Sequence, residues 1–234
     1  MKFKKPDCLK CPVRSLSIFE HVQEDDLVEI STTKGFSNYK KGENIFREGQ
    51  PALGIYILHN GKVKITKTGV MGREQIVSFA RQGEIMGYRP MLLEESYDIS
   101  AIAIEESTVC FIHKNKILQL IEQDKDFALK LIRTALQSSK KVTEIVSSLS
   151  QKTVRSRVAE SLLIIKDEFG EDAQGNIDVV LSREDLSAMI GTSSESYIRM
   201  IKELIDDEVI TKEGKKFKIQ DEQTLKRIAE KYDY

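Results

Sequence analysis

The sequence holds no apolar run of the roughly 18 residues that a membrane-spanning helix needs. Its first ten residues, MKFKKPDCLK, lack the apolar core of a secretory signal. Both absences point to a soluble chain in the cytoplasm. Cysteine is scarce: Cys8, Cys11 and Cys110 are too few for a disulfide framework in 234 residues. In a reducing compartment the close pair Cys8 and Cys11 points instead to metal binding, to redox chemistry, or to a tolerated motif with neither role. An excess of either charge is missing as well, since 36 Lys and Arg face 37 Asp and Glu. Bulk polycation behaviour is thereby excluded, and a nucleic-acid partner would need basic residues placed locally. No constellation of nucleophile, base and metal ligands is visible, which argues against an enzyme.

With 40% hydrophobic residues, the chain can bury the core of one large domain or of two modest ones. Short alternating runs at 44–47, 54–58, 62–67, 75–79, 99–104 and 108–112, punctuated by glycines, read as an all-β sandwich or jelly roll. Asn60-Gly61, between 55–58 and 63–65, predicts a two-residue hairpin turn, because a type I′ turn needs positive φ at both central positions. Glycine and proline then vanish from 127–150. There Ala128, Ala135, Val142 and Leu149 recur every seven residues, interleaved with Leu131, Ser138 and Ile145. This a/d seam of about three heptads predicts pairing with a second copy, the alternative being a helix packed on its own β domain.

The third region reads as a helix over 155–168, a polar loop over 170–175, and two short helices over 183–190 and 194–205 separated by Gly191-Thr-Ser193. Ser182 with Asp185, and Thr192 with Glu195, have the spacing of an N-cap and its N3 acid. A hairpin over 209–219, turning at Glu213-Gly214, completes a winged helix-turn-helix. The expected fold is α+β, in four parts: an N-terminal segment (1–34), a β-roll (35–125), a dimerisation helix (126–150) and the winged helix (151–234).

Such a motif lays its second helix in the major groove of DNA. Tyr197, Ile201 and Leu204 fall at i, i+4 and i+7 and predict the buried stripe, leaving Ser194, Glu195, Ile198, Arg199 and Lys202 outward. Arginine bridges guanine O6 and N7, glutamate accepts from the cytosine amino group, and an apolar side chain rests on a thymine methyl. Glu195 and Arg199 are therefore the candidate base readers, with Ser194 and Ile198 beside them. Arg183, Lys202, Lys215 and Lys216 suit phosphates. The alternative is a solvated Glu195 to Arg199 pair one helical turn apart. From residue 152 onward acidic side chains outnumber basic ones, so non-specific phosphate attraction is weak and dimerisation matters more.

With these residues in place, the chain resembles the Crp/Fnr family of bacterial transcription regulators. The run Leu181-Ser-Arg-Glu-Asp-Leu-Ser-Ala-Met-Ile-Gly-Thr-Ser-Ser-Glu-Ser-Tyr-Ile-Arg-Met-Ile-Lys-Glu-Leu204 is similar to the family's helix-turn-helix signature, including Glu195 and Arg199. Lys41-Gly-Glu-Asn-Ile-Phe-Arg-Glu-Gly-Gln-Pro-Ala-Leu-Gly-Ile-Tyr-Ile-Leu-His-Asn-Gly61 is similar to a run of its β domain. The resemblance covers nearly the whole chain. It implies a cyclic-nucleotide-binding-like β-roll, a long dimer helix and a DNA-binding winged helix.

Members that bind cyclic nucleotides share a cassette whose Glu holds the ribose and whose Arg pairs with the phosphate. Tyr88 stands at the Glu position and Ile99 at the Arg position here. Cyclic nucleotide binding is therefore not expected, Arg89 being the one nearby substitute. The oxygen-sensing branch holds an iron-sulfur cluster on an N-terminal C-x2-C-x5-C and a distant fourth cysteine. Cys8 and Cys11 match the first two, Cys110 resembles the fourth, and Ser17 stands at the third. Serine is a poor soft-metal ligand. A three-cysteine cluster, a Cys8/Cys11 redox pair or zinc site, and no metal at all stay open. His21, His59 and His113 are isolated in sequence and are expected at the surface or in loops.

The reading is a homodimeric regulator whose β-roll passes an unidentified effector or redox signal to the recognition helices. The implied partners are double-stranded DNA with a palindromic site, a second copy of the chain and RNA polymerase, with no membrane. The competing reading is a redox or small-molecule sensor whose winged helix makes protein contacts.

Overall fold

Alternation of apolar and polar residues after residue 35 produces two four-stranded sheets. One has the order β1 (Gly35–Tyr39), β8 (Ser107–His113), β3 (Gly54–Asn60), β6 (Ile85–Met86). The other runs β2 (Asn44–Phe46), β7 (Ser100–Ala103), β4 (Val63–Thr68), β5 (Glu74–Ala80). The computed structural model describes residues 5–69 and 72–231, so the first four and last three residues of the expected terminal segments lie outside the described residues. The chain divides into two compact units: residues 1–67 with 78–140, and residues 68–77 with 141–234. Among the described residues no helix is long and apolar enough to cross a membrane.

In the first unit Ile55, Leu58, Val63 and Ala101 are fully buried between the sheets. Phe46 stacks on Tyr97 with centroids 4.2 Å apart, and Tyr56 lies against both Phe46 (5.3 Å) and Phe111 (4.9 Å). Such aromatic pairs contribute about 0.5–1.5 kcal/mol each beyond their burial. The Tyr97 hydroxyl donates to the Gly54 carbonyl at 3.1 Å.

The Asn60-Gly61 turn does not close the expected hairpin. β3 pairs with β8 and β6, whereas β4 pairs with β7 and lies beside β5, so the turn carries the chain from one sheet to the other. Gly61 does take a positive φ of 100°, and a Cβ there would lie 2.2 Å from Ser107 Oγ. The turn signal reported a local backbone conformation, not the pairing of the strands on either side of it.

Ahead of the sheets, the segment from Cys8 coils through turns and a short 3-10 helix (Arg14–Leu16) into α1 (Glu24–Thr33). After α2 (Tyr88–Leu92) and β8 come α3 (Lys114–Gln123) and the 27-residue α4 (Lys125–Gln151). Buried Lys116 on α3 ties to Asp26 and Glu29 on α1. α4 is anchored by buried Phe127 and Leu131. Phe127 meets the Phe19 ring at 5.4 Å, and Lys130 donates to the Ser17 carbonyl and to Glu20, both at 2.9 Å.

Burial of Leu131 corrects its place in the expected dimer seam: this side chain packs on its own unit, and Ala128 and Ala135 beside it are half-buried. The exposed apolar row there is one position later, Leu129, Ile132 and Leu136, the last 65% exposed. Farther along α4, Val142, Val146 and Leu149 are also exposed. Small residues made the first register attractive, yet near the root of the helix that row is the one turned away from solvent.

The second unit contains α5 (Val154–Phe169), α6 (Arg183–Met189), α7 (Ser194–Asp206), a hairpin of β9 (Ile210–Glu213) with β10 (Lys216–Ile219), and α8 (Glu222–Ala229). Val158, Leu162 and Ile165 of α5, with Leu186, Leu204 and Leu225, form its buried core. The fold is α+β: a β-roll, a long helix and a winged helix-turn-helix.

Candidate functional site

Two places carry chemistry, one in each unit. In the second unit, Ser182 and Asp185 form a reciprocal capping box at the start of α6. Gly191 turns the chain with φ 61°, and α7 starts at Ser193, whose Oγ accepts from the Ser196 N–H at 3.1 Å. The N-cap is thus Ser193 and not the expected Thr192, one residue earlier.

α7 buries Tyr197, Met200, Ile201 and Leu204, and exposes Glu195, Ile198, Arg199 and Lys202. No side chain among the described residues engages Glu195 or Arg199, so the intrahelical pair does not form and both heads are free for a partner. Ser194 is not on that surface: it is half-buried, with its Oγ 3.0 Å from Ser187 Oγ of α6, joining the two helices. Arg183 at the start of α6 and Lys215 at the tip of the hairpin are exposed. Lys216 is paired. Its ammonium donates to Asp172 at 2.8 Å and Asp178 at 3.2 Å, and these carboxylates raise its pKa. Its charge is shared with these carboxylates, so Lys215 at the exposed tip is better placed than Lys216 for a phosphate.

In the first unit, Cys8, Cys11 and Cys110 line one cavity of about 50 Å³, together with Ser17, Lys34 and His59. Cys110 reaches it from the middle of β8, opposite Ile57 on β3 and Phe36 on β1. Cys11 Sγ lies 3.7 Å from Nδ1 of His59, and the buried Lys34 donates its ammonium to Cys8 Sγ at 3.1 Å. Burial, and then the nearby Lys34 charge, lower the His59 pKa, so its imidazole is neutral near pH 7. Burial pushes the Cys110 thiol up to about 11. The isolation of His59 in sequence was misleading: β3 carries it to the thiols. Nothing in the linear spacing marks His59 or Lys34.

A cluster on four cysteine-type ligands does not fit these residues. Ser17 is buried, and its hydroxyl donates to the Arg14 carbonyl at 2.8 Å while accepting from the Phe19 N–H at 3.1 Å. Both interactions belong to the local turn. The Lys34 ammonium also places a positive charge on Cys8, where a metal cation would bind. Among the described residues, no group of three or more His, Cys, Asp and Glu is arranged to hold a metal ion. In the β-roll, Arg89 pairs with Asp98 at the surface.

A family model for the cyclic nucleotide-binding domain matches residues 36–124, and one for the Crp-like helix-turn-helix domain matches residues 156–228. The chain is 28% identical over 226 residues to the transcriptional activator protein anr of Pseudomonas aeruginosa, covering 95% of this chain and 91% of that protein. It is 24% identical over 214 residues to a CRP-like cAMP-activated global transcriptional regulator of Mycobacterium tuberculosis, covering 91% and 96%. The solved structure of FixK2 from Bradyrhizobium japonicum matches its fold with a TM-score of 0.76 at 23% identity, over 84% of this chain and 97% of that one. With a β-roll and a helix-turn-helix of these two types in this order, the chain belongs to the Crp/Fnr family of transcription regulators.

Proposed function

We propose that the protein is a homodimeric, cytoplasmic, sequence-specific DNA-binding regulator that reads a palindromic site with α7. The observation that carries this reading is the exposed face of α7, where Glu195, Ile198 and Arg199 stand without intramolecular partners on a helix held by a capped turn. Glu195 accepts from a cytosine amino group, Arg199 bridges guanine, and Ile198 rests on a thymine methyl. Arg183, Lys202 and Lys215 hold phosphates on either side. Pairing of two copies through the exposed apolar row of α4 presents two recognition helices to major grooves about 34 Å apart. Transcriptional output then runs through RNA polymerase. The cyclic nucleotide is not the effector: Tyr88 and Ile99 replace the cassette residues.

The test starts from DNA selected out of a randomised duplex library by the full chain. Arg199→Ala should lose about 1–3 kcal/mol of discrimination at its guanine while retaining non-specific binding. Lys202→Ala should weaken all sequences alike and flatten the salt dependence. Recovery of no sequence preference by the wild-type chain, or salt-insensitive association with protein in place of DNA, would refute the assignment.

A further inference from the structure

The cavity of the first unit holds three thiols, an imidazole and a buried ammonium for which DNA binding has no use. Four observations define what it can do. First, the buried Lys34 ammonium donates to Cys8 Sγ at 3.1 Å, which singles that sulfur out by a positive charge held against it. Second, the Cys11 N–H donates to the Cys8 carbonyl at 3.5 Å, closing residues 8–11 into a turn. The α carbons at the ends of such a turn lie within about 7 Å, close to what a disulfide spans. Third, His59 holds Nδ1 3.7 Å from Cys11 Sγ, and in the tautomer protonated at Nε2 that nitrogen accepts the thiol proton, whereas Cys110, pushed up to about 11, stays a thiol in its strand. Fourth, Cys8 and Cys11 are only half-buried and the cavity of about 50 Å³ beside them has room for a molecule the size of peroxide, so a small oxidant reaches both sulfurs.

We propose that Cys8 and Cys11 are a dithiol that hydrogen peroxide oxidises to a disulfide, and that this reaction is the signal the regulator reads; the second clause rests on the function proposed above. In the first step Cys8 sulfur attacks one peroxide oxygen. The S–O bond forms, the O–O bond breaks, and the departing hydroxide takes the Cys8 thiol proton to leave as water. Cys11 sulfur then attacks the sulfenic sulfur of Cys8. The S–S bond forms, the S–O bond breaks, and the second hydroxide leaves as water with the Cys11 proton, passed through His59 Nδ1. Two thiols lose two electrons, and one peroxide becomes two waters.

The new bond has a path to α4 within the same unit. The Cys8 N–H is tied to Ser31 Oγ at 3.1 Å, while Ser17, Glu20 and Phe19 farther along the same segment hold Lys130 and Phe127 of α4. A contraction at residues 8–11 is thus applied to the root of the helix that pairs the two copies.

The test treats the reduced full chain with hydrogen peroxide, quenches by alkylation and reads thiols by peptide mass. The expected product is a Cys8–Cys11 disulfide, with Cys110 still alkylated after unfolding. Cys11→Ser should stop the reaction at a sulfenic acid on Cys8, trapped by a 1,3-dione. Lys34→Gln should slow the reaction about tenfold, and Lys34→Arg should restore most of the rate. Loss of Cys110 in preference to Cys8, no disulfide in the wild-type chain, or an unchanged rate in folded Lys34→Gln would overturn the site. Because Lys34 is buried, the wild-type and Cys11→Ser arms decide even where Lys34→Gln fails to fold. The regulatory clause is read separately, as at least about a tenfold change in affinity for the selected duplex on oxidation, absent in Cys8→Ser. Equal affinities overturn that clause. A chain that forms the disulfide but binds no DNA in either state counts against the DNA-binding reading and leaves the thiol chemistry standing.

Discussion

A single glycine tests the corner between the two sheets. Gly61 has φ 100°, and a Cβ would lie 2.2 Å from Ser107 Oγ and 2.7 Å from Ser107 Cα, backbone that cannot swing aside. Gly61→Ala should therefore cost about 2 kcal/mol or more, read as a lowered denaturation midpoint in urea with an unchanged slope. The residue's backbone conformation was legible from Asn-Gly, because positive φ is a local property; its partner strands were not, because pairing is decided by burial elsewhere. The same division separates the residues of the thiol cavity. Cys8 and Cys11 announced themselves by spacing, but Lys34 and His59 reach them from the end of α1 and from β3, and only the folded chain brings those together. Ser17 was visible as a break in a ligand pattern. Its use, closing a turn with Arg14 and Phe19, was not.

Elements follow the sequence wherever periodicity runs long enough. The helices over 154–169, 183–189 and 194–206 and the wing lie within a residue or two of their expected limits, since each has a cap, a glycine or a sustained apolar face. β6 has only two residues and α2 only five, too short for any period to show. α8 went unread, although Asp221 caps it by accepting from the Thr224 N–H at 2.9 Å. Capping contributes measurably: Ser182→Ala removes the α6 box and should destabilise the second unit by about 1 kcal/mol, a fall of about 4 °C or more in its thermal midpoint. α8 is also held by charge. Glu222 accepts from Lys166 and Lys226, and those bonds, that of Lys166 first, hold its carboxyl at about 2 against an ordinary 4.5. A carboxylate with a depressed folded pKa adds stability that is complete above its unfolded value and is lost as pH falls toward the folded one. The thermal midpoint of the second unit should therefore decline as pH drops from about 4.5 toward about 2. Lys166→Met should make that decline shallower.

At the scale of the whole molecule, the switch from short β runs to a long helix and then to a capped helix pair was plain in the sequence, and with it the family. The register of association between copies was not. Two rows of α4 compete on sequence, one through Ala128, Leu131 and Ala135, the other through Leu129, Ile132 and Leu136. Over this first heptad the spacing fits both, and burial separates them: Leu131 is 3% exposed, Ile132 53% and Leu136 65%. An apolar side chain left in water on a helix otherwise anchored to its domain has nothing in its own unit to cover it, and a second copy would bury it. Full burial of a leucine is worth about 1.5–3 kcal/mol, and two-fold symmetry counts each substitution twice. Leu136→Glu should then weaken self-association by about 3–6 kcal/mol, roughly a hundredfold to ten-thousandfold in Kd, with the thermal midpoint of the separated chain little changed. Leu131→Glu should act oppositely, lowering the thermal stability of the first unit by burying a charge without a partner. Sedimentation equilibrium together with thermal denaturation distinguishes the two rows. Dissociation by Leu131→Glu in a fully folded chain, with Leu136→Glu still dimeric, would return the seam to the register of the small residues.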